Sequence, residues 1–277
     1  MIIGNANELH QILILNNQKR RKMKMKRILS LILSAVMLVS ICAIFSSCAD
    51  DGKLTMATNA SFPPYESKEG DKFVGIDVEI AQKLAEKLGM ELEIIDTEFN
   101  SIIGGVQSGK YDIGMAGMTV NEDRLKNVNF SKTYAKGVQV VIVKEGGSIK
   151  SLDDLAGEGV KIGVQEGTTG HIYAADTPEN GGYGEEAVIA YKTGALAVQG
   201  LISGKVQAVI IDNEPAKNFV KANEGLTILE TKYVEEEYAI AIAKNNNALL
   251  DKINKALDEL IADGTVQSII DKYIPAE

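Results

Sequence analysis

The stretch Tyr111–Arg124, Y-D-I-G-M-A-G-M-T-V-N-E-D-R, passes from a core strand through a small-residue turn into a charged helix start. Ile113, Met115 and Ala116 form a short apolar run behind the break at Gly109, the pattern of a buried strand. Gly117, Met118 and Thr119 then leave the sheet. Asn121 is a good N-cap, and Glu122 and Asp123 fall in the first turn, where the helix dipole favours acids. Arg124 breaks that pattern, because a cation in a first turn gains nothing from the dipole. Its charge serves either a partner outside the helix or a surface pair with Glu122 or Asp123, and the stretch alone leaves both open.

The motif has an echo. G-V-Q-S-G-K-Y-D-I-G-M-A at 105–116 resembles G-L-I-S-G-K-V-Q-A-V-I-I at 200–211, at a constant offset of 95. Each copy reads as helix, glycine turn and buried strand. Gly117 and Asp212 therefore occupy matching places at the carboxyl ends of matching strands, where open α/β sheets bind ligands. Two similar lobes would present those ends to each other across a cleft.

The rest of the chain alternates in the same way. A strand at 53–58 leads into N-A-S-F-P-P-Y-E, a loop at 59–66 that Pro63 and Pro64 stiffen and that holds Phe62. Asp77 caps a helix whose Ile80, Ala81, Leu84, Ala85 and Leu88 recur at helical spacing, with Gly89 just past its end. A strand at 91–96, a helix at 100–108 and an apolar strand at 138–143 follow, and Ser151 opens a short helix. The second series runs through a strand at 160–164, a glycine and threonine turn at 165–170 and a helix at 171–175. It continues with strands at 188–191, 206–211 and 226–229 and helices at 194–203 and 215–222. A last strand at 238–243 and helices at 248–262 and 265–273 close the chain. Such alternation predicts an α/β fold of two lobes with mostly parallel sheets.

With 277 residues, 45% apolar and 24% charged, the chain suits one large domain or two ordinary ones, and two is the expectation. Residues 1–47 carry seven Lys and Arg against Glu8; that +6, taken from −9, leaves −15 for the remainder. A remainder so acidic is repelled by phosphate backbones, so nucleic acid is not an expected partner. Met23–Arg27 is a basic segment, 28–45 is apolar, and Ser46, Ser47 and Cys48 follow: an export signal, with a retained membrane anchor as the alternative. Met23 is a second candidate start. The end of the signal resembles a bacterial lipobox, which implies acylation of Cys48 after cleavage, although Phe45 stands where an aliphatic residue is usual. The leader would be 1–47 and a lipid-anchored tether 48–52. With Cys42 and His10 in the leader, the mature chain holds Cys48 and His171 alone, too few for a disulfide or a multi-His or Cys-ligated metal site. Neither metal nor cofactor is expected.

Taken in order, N-A-S-F-P-P-Y-E, V-G-I-D-V-E-I-A, Q-S-G-K-Y-D-I, A-G-M-T-V-N-E-D-R, Y-A-K-G-V-Q-V, V-Q-E-G-T-T-G and V-I-I-D resemble the polar amino-acid family of bacterial solute-binding proteins, which feed ABC importers. The resemblance spans about 53–274. It implies the type II periplasmic-binding-protein fold, two lobes hinged on crossover strands at 134–138 and 237–239. The lobes would be 53–133 plus 239–277, and 138–233. It further implies that Arg124 grips a ligand α-carboxylate and Asp212 an α-ammonium. The Gly117 carbonyl and Thr119 would assist the ammonium, Thr119 and a Thr168 or Thr169 amide the carboxylate, and Phe62 and Phe99 would sandwich the side chain. The expected partners are an amino acid, a membrane permease and, through Cys48, the lipid bilayer. A monomer on the outer face of the cytoplasmic membrane, and no enzyme, is the expected form.

Physical chemistry supports those roles. Arginine offers planar paired donors to a carboxylate, aspartate accepts from an ammonium, and phenylalanine faces bury apolar stems. Plainer roles stand beside them: Asp212 and Asn213 as caps of the helix begun at Pro215, and Phe99 as core. Asn59 replaces an aspartate frequent in relatives that take glutamine or cationic side chains, and Gln165 replaces a lysine found in others. The two amides favour an uncharged, polar side chain, while Glu98 and Glu166 keep a cationic one open. Gln207 replaces an aspartate at a strand start, away from ligand. Two other functions fit the same fold: an exported dehydratase with Glu166 as its acid, and a sensor domain, which would need a membrane segment after the second lobe.

Overall fold

The computed structural model describes residues 52–230 and 234–275; the expected leader and Cys48 lie outside them. The first lobe lays down β1 (Lys53–Thr58), the small antiparallel sheet β2 (Ser61–Phe62), β3 (Glu66–Glu69) and β4 (Lys72–Val74), then α1 (Ile76–Leu88), β5 (Glu91–Asp96), α2 (Phe99–Gln107), β6 (Ile113–Gly114) and α3 (Glu122–Asn127). β7 (Val128–Lys144) carries the chain into the second lobe, built from β8 (Ile162–Gln165), α4 (Thr169–Ala175), β9 (Val188–Tyr191), α5 (Gly194–Ile202), β10 (Ala208–Asp212), α6 (Asn213–Ala222) and β11 (Leu226–Ile228). β12 (Val234–Ala243) returns to the first lobe, which α7 (Asn247–Ala262) and α8 (Thr265–Tyr273) complete. No helix among the described residues is long and apolar enough to cross a membrane.

The strands follow the order β5-β1-β6-β12-β7-β10-β8-β9, with β11 also on β7. Each lobe has a parallel heart, β5-β1-β6 in the first and β10-β8-β9 in the second. Parallel strands buried on both faces read as continuous apolar runs, as Ala208–Ile211 does with every residue buried. The cores follow from that: Leu54, Met56, Ile80, Leu84, Ile113, Ile253 and Leu257 in the first lobe, and Val141, Ile162, Val164, Leu155 and Ile210 in the second. Each such side chain, once buried, contributes about 1.5–3 kcal/mol of transfer free energy.

Between the lobes β7 and β12 form one antiparallel ribbon, from Val234 opposite Gln139 to Ala243 opposite Val128, with register shifts on both sides of Ala239. The expected crossover segments at 134–138 and 237–239 fall inside it. The ribbon is longer than the sequence pattern suggests: β7 begins ten residues before Val138, and β12 four before Tyr238. Those lengths are masked because the ribbon has two unlike faces. Glu236 and Tyr238 point inward while Glu235 and Glu237 face solvent, so an acidic run hides a strand. Gly137 lies opposite the Tyr238 ring, and a Cβ there would collide with the tyrosine hydroxyl.

Three local expectations change. Asp77 does not cap α1; Gly75 holds the N-cap position, and Asp77 is buried inside the first turn, accepting from the Gly117 amide at 2.9 Å and the Tyr134 hydroxyl at 2.8 Å. The turn after Ser151 is a short 3₁₀ segment, Asp153–Ala156. α6 starts at Asn213 rather than Pro215, and Asp212 stands at its N-cap without making a side-chain cap bond.

Candidate functional site

Asn59, Phe62, Phe99, Gly117, Thr119 and Arg124 from the first lobe, with Gln165, Thr168, Thr169 and Asp212 from the second, line one cavity. All ten positions singled out in the sequence come together there. They converge because each follows the carboxyl end of a strand or opens the next helix: Asn59 after β1, Gly117 and Thr119 after β6, Gln165 at the end of β8, Asp212 at the end of β10. Gly117 adopts φ 52°, the left-handed turn that glycine enters without Cβ strain. Thr168 caps α4 through its side chain, which accepts from the His171 amide.

Arg124 is 7% exposed, so the surface-pair alternative with Glu122 or Asp123 does not hold; Asp123 pairs with Lys126 instead. The Asn121 cap accepts from the Arg124 amide at 2.8 Å and starts α3 so that the guanidinium turns inward. There Nη1 donates to the Thr119 carbonyl at 2.7 Å, and Nη2 reaches across the cleft to the Gly167 carbonyl at 3.1 Å. Phe99 lies under the guanidinium, 5.3 Å from ring centroid to Cζ. A guanidinium has five N–H donors, so two fixed bonds orient it and leave others for a carboxylate. Burial lowers its pKa to about 10, and Glu236 and Asp212 pull it back up.

Asp212 is equally buried. Its carboxyl accepts from the Tyr238 hydroxyl of the ribbon. Burial raises its pKa to about 7, with Glu236 adding to the rise and hydrogen bonds from Tyr238 and Gln139 opposing it. Such a carboxylate is poised to gain from an arriving cation.

The two amides are spent on each other. Gln165 Nε2 donates across the cleft to Asn59 Oδ1 at 2.9 Å, and Asn59 Nδ2 donates to the Thr97 carbonyl at 2.8 Å. Glu98 and Glu166 do not line the cavity; Lys192 bridges both at the exposed rim, at 3.0 and 2.9 Å, joining the lobes there. Gln207 accepts from the Lys161 amide and stays away from the cavity, as expected.

Two acidic residues escaped the sequence reading. Glu66, 1% exposed at the start of β3, lines the cavity, and both its carboxyl oxygens are buried without a donor. Glu236 of β12, 5% exposed, accepts from the Thr119 hydroxyl at 2.8 Å and from Gln139 Nε2 at 3.1 Å. Thr119 thereby spends its one proton on Glu236 and turns lone pairs to the cavity. The signal for Glu66 was present, an acid ending the proline-stiffened loop; Glu236 sat in a run that looked solvated. Among the described residues no group of three or more His, Cys, Asp or Glu is placed to hold a metal ion.

Two α/β lobes on an antiparallel ribbon, with opposite charges lining a cavity between them, are the architecture of a small-solute-binding protein. Residues 54–276 match the family model of bacterial extracellular solute-binding proteins, family 3, and the chain belongs to that family. It is 35% identical over 261 residues to the arginine-binding extracellular protein ArtP of Bacillus subtilis (strain 168), an alignment covering 91% of this chain and all of that one. An ancestral arginine-binding protein, solved bound to glutamine and bound to arginine, is 41% identical with TM-score 0.74; the glutamine-bound structure covers 81% of this chain and 99% of its own. An ancestral amino acid-binding protein described as a precursor of cyclohexadienyl dehydratase is 31% identical with TM-score 0.73, covering 81% of this chain and 96% of its own.

Proposed function

We propose that this protein is the exported solute-binding component of an ABC importer and captures a free L-amino acid for delivery to a membrane permease. Arg124 takes the α-carboxylate, with the Thr119 and Thr168 or Thr169 amides. Asp212 takes the α-ammonium, with the Gly117 carbonyl and the Thr119 hydroxyl oxygen. Phe62 and Phe99 flank the side chain, and Asn59 and Gln165 close over its tip. Lobe bounds at 53–133 plus 239–277 and at 138–233, hinged at 134–138 and 237–239, belong to the same reading, as does anchoring of a monomer by an acylated Cys48.

One observation carries the choice of ligand. The ionisable side chains lining the cavity are Arg124, Asp212 and Glu66, so a zwitterion satisfies the first two and leaves one buried acid over. An arginine guanidinium would answer Glu66 with paired donors, and ArtP and the ancestral protein named above are arginine-binding by their own descriptions. An uncharged polar side chain of the glutamine type, favoured by Asn59 and Gln165, is the alternative, supported by the glutamine-bound neighbour. Calorimetric titration with L-arginine, L-glutamine and their amide and N-acetyl derivatives tests both levels. Arginine should bind tightest, glutamine more weakly, and the derivatives hardly at all; glutamine ahead of arginine would restore the neutral side chain.

The likeness to a dehydratase precursor favours a second reading, but the acid it would use is poorly placed. Glu166 sits at the rim, its hydrogen bond to Lys192 holding its pKa below the usual range, which keeps it ionised where a proton donor must be neutral. Unchanged prephenate and arogenate spectra on mixing with the protein are the expected result.

A further inference from the structure

Beside the cavity lies an acid that does not line it. Asp77 is fully buried in α1, and its two oxygens accept from Gly117 of the cavity turn and from Tyr134 of the ribbon. The Asp77 amide donates to the carbonyl of Tyr65, the residue before Glu66, at 3.0 Å, so the two carboxyl groups are neighbours that act on each other. Two carboxyl groups can bond to one another only by sharing a proton, because an ionised carboxylate has none to donate. The Glu66 oxygens, buried and without another donor, meet that condition.

We propose that Glu66 and Asp77 hold one proton between them in the empty protein, and that a cationic ligand side chain arriving at Glu66 expels it to solvent. This rests on the reading of the cavity as an amino-acid site. The proton leaves a Glu66–Asp77 O–H···O bond, the guanidinium supplies N–H donors in its place, and the charge at Glu66 becomes paired. A carboxamide tip brings no charge, so with glutamine the proton stays. The cavity would distinguish arginine from glutamine by proton displacement as well as by contact.

The surroundings favour the protonated pair. Glu66 faces Asp77 from α1, Asp212 from the end of β10 and Asp96 from the end of β5; burial, then these acids, push its pKa well up. Asp77, raised to about 6 by burial, is held down in part by Gly117, Tyr134 and Glu66. The nearby Tyr65 faces Asp212, Asp77, Glu214 and Glu66 and packs edge-on against Tyr238. Lys68, the cation on the same strand as Glu66, is occupied by Asp96 at 2.6 Å.

Calorimetry in buffers of differing ionisation enthalpy counts the protons released. Asp212 also loses protons when any amino acid binds, so glutamine is the reference that subtracts its share. Near neutral pH, arginine should release about one proton more than glutamine, and its affinity advantage should rise by up to about tenfold per pH unit. In Glu66→Gln the excess should vanish and the advantage over glutamine should collapse. Equal proton counts for the two ligands in the unmutated protein would overturn the proposal without any variant. An excess that survives Glu66→Gln would overturn it too, while leaving the arginine reading intact. Failure of both amino acids to bind would overturn the amino-acid reading first and this proposal with it.

Discussion

The two units at 105–117 and 200–212 share a turn and differ where they end. In the first, the Lys110 and Tyr111 amides donate to the Gly105 carbonyl at 2.9 and 3.4 Å; in the second, Lys205 and Val206 donate to Gly200 at the same distances. Ser108 and Ser203 hydroxyls donate to those same carbonyls at 3.0 and 3.1 Å, and Gly109 and Gly204 take φ 75° and 79°. Beyond the strand the units diverge. The first turns at Gly117 and lends backbone groups to the cavity, whereas the second runs straight into α6 and leaves the Asp212 carboxylate at its mouth. A shared scaffold can thus offer a polar backbone from one lobe and a charge from the other, with the chemistry confined to the residues after each strand.

The sharpest way to break this comparison is to remove the charges that distinguish the two lobes. Arg124→Ala and Asp212→Ala should each cost about 2–5 kcal/mol of binding, because one end of the zwitterion is left desolvated and unpaired. Arg124→Lys should recover only part of the loss, since lysine lacks two coplanar donors. Calorimetry that finds near-normal affinity in either alanine variant would mean that the cavity is not built around an α-amino acid.

The same aspartate should weaken the empty protein. Its carboxyl is raised from 3.8 to about 7 on folding, so the folded state binds more protons than the unfolded one and stability falls as pH rises through that window. Asp212→Asn should therefore stabilise the empty protein, by on the order of 1 kcal/mol per pH unit climbed between about 4 and about 7, while abolishing binding. Melting curves at the two ends of the window check this; no gain at the upper end would refute the cost assigned to the buried charge. Gly117, the counterpart of Asp212, should act through shape instead. Gly117→Ala forces a side chain into the left-handed region and against Phe62, with loss of about 1–2 kcal/mol in denaturant unfolding. Smallest of all, Gly109→Ala and Gly204→Ala should each cost about 1 kcal/mol, and nearly equally, because neither new Cβ meets a neighbour within 4 Å. Unequal costs would show that the echo is one of sequence but not of energetics.

Much of the fold was legible because its signals are local. Periodicity placed α1 and α7, the alternation of strand and helix placed α2, α5 and α8, apolar runs placed the core strands, and Asn121 with its acids placed α3. Strand ends in alternating α/β chains converge, which nominated Gly117 and Asp212 without coordinates; the other cavity positions were nominated by the resemblance to a family of solute-binding proteins. The ribbon was harder. Its acidic half alternates inward and outward, and nothing within Val234–Glu237 says that Glu236 will face Thr119 and Gln139.

Residue types and their order were enough to assign two α/β lobes and a cleft between them, since each depends on the few residues around it, while the opposed charges of Arg124 and Asp212 came from the family resemblance. Which acids would be buried together depended on folding. Glu66, Asp77 and Asp212 come from separate strands and helices, and their shared desolvation exists only once distant segments exclude water from the same small volume. The tertiary structure alone therefore decided that Asp77 supports the cavity turn instead of capping its helix, that Asn59 and Gln165 bond to each other, and that one acid remains to meet the ligand.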